Sequence, residues 1–338
     1  MGLQLRIKNE DQYRQMKPLF SIIIPVRQST DYLKETLAVL SKINNKYFEV
    51  LVITDKISIK TDPSTKRNIG AKKAKGDYLV FLDDDSFPSI KYFKYAQKLV
   101  NKYPNYAAFC GPCLTPSSDS VYQKASGLVW SSFLGSGGAG SYRNSIQNSR
   151  FVDDYPTVNL IVKKTDFWAI NGFQSKYWPG EDTILCLDIV QKLKKKIFYY
   201  PKLIVFHHRR SVIFAHLKQL SRYALHRGLF AKKFPQTSFR IGYLTPSFFL
   251  IYCLSLPFIF QYSSYFLYPL YLYLSLLLTT FFYFVLTNNS IFISFLATIT
   301  IPITHLYYGF LFLVGFFSRD LNFKPHHVNR KTGNYVGG

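Results

Sequence analysis

The sequence predicts an α/β domain, then a basic helix, then a block of membrane-crossing helices. Three observations carry this reading. Short β-branched apolar runs alternate with helical-period segments from residue 19 onward. Carboxylates stand at the ends of two of those runs. Residues 241–318, 78 positions in a row, contain no Asp, Glu, Lys or Arg.

Charge is unevenly distributed along the 338 residues, which hold 42 Lys+Arg against 19 Asp+Glu. Residues 1–188 have 25 basic and 18 acidic side chains, and residues 189–240 have 13 basic and none acidic. A charge in hydrocarbon costs roughly 2.5–3.5 kcal/mol, so a long uncharged run suits a bilayer. A soluble globule, a disordered chain and a disulfide scaffold are excluded. The basic excess abuts the apolar block, where it fits anionic lipid better than nucleic acid, so no nucleic-acid partner is expected. The N-terminal residues combine Lys and Arg with Glu10 and Asp11 and have no apolar h-region. No signal peptide is expected, and the N-terminal part should be cytoplasmic with unbridged cysteines.

The elements follow in order. "LFSIIIPV" reads as a strand buried on both faces. Thr30 caps a helix in which Leu33, Leu37 and Leu40 share a face. "YFEVLVIT" is a second strand ending at Asp55, and Asp62-Pro63 opens a second helix that Gly76 closes. "DYLVFL" runs into Asp83-Asp84-Asp85, residues 89–102 are helical, and "YAAFC" is a fourth strand. This is a parallel β-α-β-α-β series. Residues 111–150, rich in Gly, Ser and Pro, read as a long loop over the sheet. Strand and helix patterns resume at "TVNLIVKK", "DFWAINGF" and "WPGEDTILCLDIVQKL", followed by the strand "KIFYYPKLIVFHH". Residues 211–234 form a basic helix with Leu217, Leu220, Ala224, Gly228 and Ala231 on one face, as in an interfacial helix. The apolar block divides into 244–262, 264–286 and 290–317. Three crossings would place the basic tail outside, against the positive-inside rule, whereas two or four crossings or a re-entrant segment would not.

In a parallel sheet, ligands sit at the carboxyl ends of the strands. Asp83 and Asp85, alternate on an extended turn, face one way toward a hard divalent cation or a ribose. Glu181-Asp182 opens a helix, and "VFHHRRS" brings two His and two Arg to a strand end. His offers a metal nitrogen, and Arg offers bidentate phosphate contacts.

"FSIIIPV", "VLVITD", "RNIGAKKAKGDYLVFLDDD", "NGF", "GEDTILCL" and "YPKLIVFHHRRS" together resemble the family 2 glycosyltransferases. These are inverting enzymes with the GT-A fold, a Rossmann-like nucleotide-sugar domain, and the likeness covers residues 19–210. "HLKQLSRYALHRG" and "THLYYGFLFLVGF" are similar to the membrane-attached bacterial branch that builds envelope glycans. The resemblance implies donor contacts at Pro25, Val26, Asp55, Arg67, Asn68, Asp83, Asp84 and Arg210. It implies Asp182 as catalytic base, with Glu181 and Trp178 on the acceptor side. A Mg²⁺ or Mn²⁺ ion would be held by Asp83 and Asp85, with His208, or else His207, as a further ligand. Lys56-Ile57-Ser58 and Asp188 depart from the family pattern.

The implied chain has a catalytic domain at 1–210, an interfacial helix at 211–240, transmembrane helices at 241–318 and a tail at 319–338. It would be a multi-pass protein of the cytoplasmic membrane, with its catalytic domain in the cytoplasm. It would move a sugar from a nucleotide diphosphate to a lipid-linked or envelope glycan acceptor, and its other partner would be membrane lipid. One rival is a processive polysaccharide synthase, which usually needs more spans for a channel and a Gln-x-x-Arg-Trp motif that is missing here. The other is a catalytically silent membrane scaffold. "CGPC" at Cys110–Cys113 has redox spacing but lies beyond a fourth strand, and Gly135, Gly137 and Gly140 lack the strand-turn-helix of a dinucleotide motif.

Overall fold

Alternation of buried apolar runs with helical segments produces a mixed α/β sheet. The computed structural model describes residues 17–43, 47–58, 62–138, 140–287, 289–321, 327–328 and 335–336. The reading of residues 1–16, and that of most of the tail beyond 321, therefore lies outside the described residues.

Along the chain, the first elements are β1 (Phe20–Pro25), α1 (Asp31–Ser41), β2 (Phe48–Ile53), α2 (Pro63–Lys73) and β3 (Tyr78–Phe81). Next come β4 (Ser86–Pro88), α3 (Tyr92–Lys102), β5 (Ala108–Cys110), β6 (Cys113–Leu114), α4 (Val121–Ser131) and α5 (Ser141–Asn144). Then follow β7 (Arg150–Val152), β8 (Leu160–Lys163), α6 (Lys164–Ala169), α7 (Glu181–Gln191), β9 (Ile197–Tyr199) and β10 (Val205–His207). The remainder is helical: α8 (Phe214–Lys233), α9 (Pro235–Ser238), α10 (Ile241–Ile259), α11 (Tyr268–Leu286) and α12 (Ile291–Phe317).

The chain forms two compact units, one from residues up to Cys113 with Gln147–His207, the other from Leu114–Ile146 with His208–Leu321. In the first, the main sheet has the order β2-β1-β3-β8-β5-β9-β7. β1, β2 and β3 are parallel, so their carboxyl ends share one edge. All six residues of β1 are buried, as a two-sided strand requires. Phe20, Ile22, Ile24, Leu33, Leu40 and Phe93 join one core cluster that fixes α1 and α3 against this part of the sheet. The expected caps are present: Thr30 accepts from the Leu33 N–H at 3.1 Å, and Asp62 from the Thr65 N–H at 2.8 Å.

Three expectations need correction. The series is not wholly parallel: β8 runs antiparallel between β3 and β5. Period identifies "TVNLIVKK" as a strand, but its direction depends on where the long preceding connection returns to the sheet. The run "KIFYYPKLIVFHH" is two strands, broken around Pro201. β9 joins the main sheet and β10 pairs antiparallel with β4. The stretch 111–150 is not simply a loop, since it contains α4 and α5. A reciprocal capping box between Ser120 and Gln123 starts α4.

In the second unit α12 is the shared partner. Ala125 and Val129 of α4 join Phe284, Ile293, Ala297 and Ile301 in one cluster. α8 lies on the later half of α12, at Gly228 and Gly315. A Cβ at Gly228 would stand 2.0 Å from the Phe312 carbonyl oxygen, and one at Gly315 would stand 2.1 Å from that of Leu225. Only glycine permits so close a helix approach. The apolar face of α8, expected to meet lipid, is thus buried on α12 in part, through Leu220, Ala224, Gly228 and Ala231. α10 (241–259), residues 264–286 including α11, and α12 (291–317) are long and apolar enough to cross a membrane.

Candidate active site

α2 links the strand ends. Its Pro63 start and Asp62 cap turn Lys66 and Arg67 toward the edge formed by β1, β2 and β3. Lys66 Nζ donates to the Val26 carbonyl at 2.9 Å and pairs with Asp55. Burial pulls the Lys66 ammonium below its ordinary range, against the opposing pull of Asp55. The Val26 N–H donates to the Ile53 carbonyl at 3.0 Å, so Pro25, Val26 and Asp55 lie side by side.

Arg67 joins the two acidic motifs. Its Nη2 donates to Asp83 Oδ1 at 2.7 Å and its Nη1 to Glu181 Oε1 at 2.8 Å. Burial opposes the guanidinium charge, but Asp83 and Glu181 outweigh it and raise its pKa. Glu181 is 5% exposed. Burial pushes its carboxyl up to about 8; Arg67 opposes that rise, while Asp182 and Asp83 add to it. Asp182, half-buried in the first turn of α7, accepts the Thr183 N–H at 2.8 Å and adds to the field on Arg67. Residues 67, 83, 181 and 182, far apart in sequence, therefore meet.

A second junction forms beyond β3. The Asp83 N–H donates to Ser86 Oγ at 3.1 Å, and that hydroxyl donates back to the Asp83 carbonyl at 2.9 Å. This turn leads into β4, where Ser86 stands opposite His207 of β10. One ligand atom each from Asp83, Asp85 and His207 lies within 4.8 Å of the others. His207 Nε2 is 3.2 Å from Asp85 Oδ1. Two carboxylates and an imidazole, with Asp85 buried, form a donor set that fits a divalent cation. The imidazole here is His207, not His208. Alternation along a strand sends neighbouring side chains to opposite faces. In the second unit His208 Nδ1 is instead bonded to Asp119, whose other oxygen accepts the Arg209 N–H at 3.1 Å.

The other expected site residues are placed as follows. Asn68 is held at Phe173: its Nδ2 donates to the Phe173 carbonyl at 2.7 Å and its Oδ1 accepts the Phe173 N–H at 3.0 Å. Gly172, at φ +65°, makes that turn possible, because a Cβ there would stand 2.8 Å from Asn68 Oδ1. The clamp sets the Phe173 ring 5.7 Å from the Arg67 guanidinium carbon, which gives the "NGF" motif a physical reason. Asp84 and Trp178 are half-buried and Arg210 is exposed. His207 and the double role of Arg67 were the features sequence reasoning did not resolve. The Gln-x-x-Arg-Trp motif has a near match in Gln219-Leu220-Ser221-Arg222-Tyr223 on α8, with Tyr in the last place. The Tyr223 ring packs edge-on against Trp130 at 6.2 Å.

A Rossmann-like sheet whose parallel edge gathers these aspartates defines a GT-A glycosyltransferase. The chain belongs to glycosyl transferase family group 2, whose sequence pattern matches residues 78–314. An uncharacterized glycosyltransferase of Haemophilus influenzae is 34% identical over a match covering 21% of this chain. That match spans only 37% of the relative's length. Among solved structures, the mannosyltransferase PcManGT of Pyrobaculum calidifontis, in complex with GDP-Man and Mn2+, superposes with a TM-score of 0.61 at 13% identity. The superposition covers 90% of this chain and 89% of that one. TarS of S. aureus, in complex with UDP-GlcNAc, gives a TM-score of 0.42 at 14% identity over 62% of this chain and 66% of its own.

Proposed function

We propose that this glycosyltransferase inverts the anomeric centre as it moves a sugar from a nucleotide diphosphate to a lipid-linked or envelope glycan at the cytoplasmic membrane. One observation carries the reading: Arg67 bonds both Asp83, at the donor-side strand end, and Glu181, beside Asp182. Single-displacement transfer needs one base near the donor and no covalent nucleophile. Asp182 is that base and takes the proton of the attacking acceptor hydroxyl. Glu181, fixed by Arg67, holds the first turn of α7 so that Asp182 keeps its place, with Trp178 on the same acceptor side. Pro25, Val26, Asp55 and Asp84 line the donor side, where Asp55 accepts from the base or ribose. Asp83, Asp85 and His207 would hold Mg²⁺ or Mn²⁺, which supplies positive charge for the departing diphosphate. PcManGT, with its bound GDP-Man and Mn2+, provides a donor and ion of the proposed class on the same fold. His208 and Asn68 have no part in this reading, because they are held by Asp119 and Phe173.

The test is release of nucleoside diphosphate by the purified full chain from a panel of nucleotide-sugars with Mn²⁺. Asp182→Asn is expected to lower turnover by about 10²-fold or more, with nucleotide binding retained. Turnover equal to that of the unaltered chain would remove Asp182 from the mechanism.

A further inference from the structure

The three apolar helices are not equivalent. α10 and α11 fully bury almost none of their large side chains, whereas α12 buries one face along its whole length. On its other face Phe292, Phe295, Ile299, Ile303, Phe310 and Phe317 are exposed. They recur at helical spacing, a stripe about 40 Å long at 1.5 Å per residue.

What covers the buried face decides the orientation. α4 covers the early half through Ala125 and Val129. α8 covers the later half in parallel and in constant register. His216 Nε2 is 3.2 Å from Thr304 Oγ1, an offset of 88 residues. Lys232 meets the Ser318 carbonyl at an offset of 86, and Lys233 meets Asp320 at an offset of 87. The two helices thus travel together for about 25 Å.

α8 exposes Lys218, Arg222, Lys232 and Lys233 along that same distance. If α12 stood across the bilayer, α8 would be carried through hydrocarbon beside it. Each of those charges would cost roughly 2.5–3.5 kcal/mol. α11 follows the same direction, antiparallel to α12. The Tyr273 hydroxyl is 2.9 Å from His305 Nδ1, and Phe284 packs with Ile293 and Ala297.

We propose that α11 and α12 lie along the membrane surface instead of crossing it. The α12 stripe sits in the acyl region of a single leaflet, and the α8 lysines and arginines reach anionic headgroups. Apolar stripe and flanking positive charge together match one partner, the surface of an anionic bilayer. α10 meets α12 antiparallel, with Ser247 Oγ donating to the Gly309 carbonyl at 3.1 Å and Phe249 beside His305. With α10 along the surface too, both ends of the apolar block remain on the side of the basic helix. This deepens the membrane attachment in the proposed function and is independent of the transfer chemistry.

Spin labels placed singly at positions 292, 299, 310 and 317 of the full chain test the idea, with Cys253→Ser as background. The chain is reconstituted in vesicles of phosphatidylethanolamine and phosphatidylglycerol, and label depth is read from relaxation by oxygen against a water-soluble nickel chelate. The expected result is four similar depths, roughly 5–10 Å below the headgroups. A sweep from one headgroup layer through the midplane toward the other would overturn the proposal, as would exposure of all four labels to water. Nucleoside diphosphate release on the same vesicles separates a failure of the transferase reading from a failure of this one.

Discussion

The two units keep polar groups inside with a different balance of charge. In the sheet unit several buried groups are ionic: Lys66 pairs with Asp55 and Arg67 with Asp83, while Glu181, pushed toward its neutral form, accepts from the other end of Arg67. Over residues 208–321 of the helical unit the sequence has one acid, Asp320. While buried Asp119 meets His208 and the Arg209 N–H, two other buried histidines are held by hydroxyl and carbonyl groups. His216 lies between Ser126, at 2.9 Å, and Thr304, and His305 lies between Tyr273 and the Leu134 carbonyl. Burial pushes His216 down to about 4, so it is neutral near pH 7. A buried ion persists where a counter-ion is built in; where none is, a neutral ring costs less.

This contrast can be broken at several points. The largest effect is expected from Arg67→Met. It removes the buried guanidinium that both Asp83 and Glu181 bond, and removing one member of a buried pair costs about 3–5 kcal/mol. Thermal unfolding should reveal it, and Glu181→Leu added to Arg67→Met should recover part of the loss. No recovery would mean that the pair is not coupled as drawn.

Next in size is acid sensitivity of the helical unit. His216 has a lower pKa folded than unfolded, so the unfolded chain binds the extra proton. Stability should hold above pH 6.5 and fall as pH drops from 6.5 toward 4, by about 3 kcal/mol in all. His216→Gln should flatten that slope in detergent melts, and an unchanged slope would assign the effect elsewhere.

At the metal candidate, His207→Ala should weaken Mn²⁺ binding, read by paramagnetic resonance, by at least roughly 10–100-fold. His208→Ala should weaken it less, and the reverse order would restore His208 as the ligand. The smallest effect is expected at Asn68. Asn68→Ala leaves the Phe173 backbone groups unpaired, for a loss of about 1–3 kcal/mol in stability with nucleotide affinity nearly unchanged. A selective loss of nucleotide binding would return Asn68 to the donor side.

Much of this arrangement was legible in the residues themselves. Continuous apolar runs marked β1, β2 and β3, and the placement of Asp55, Asp83 and Asp85 directly after them put the acids on one edge. The acids of "GEDTILCL" marked the start of α7. What escaped was non-local. The direction of β8 depends on pairing partners 80 residues or so away, which no local period encodes. The choice between His207 and His208 turns on the register of β10 against β4. The helix α4 was hidden in a Gly/Ser-rich stretch, although Ser120 and Gln123 spell a start signal that composition obscured. The resemblance implied a donor contact for Arg67, but nothing in the sequence pointed to its grip on Glu181.

That grip has a mechanical consequence. A single guanidinium fastens the end of β3 and the beginning of α7, so the strand on the proposed donor side and the helix that carries the proposed base are held together. Any tug on Asp83 is felt one residue from Asp182, which makes Arg67 a hinge pin between the two halves of the reaction.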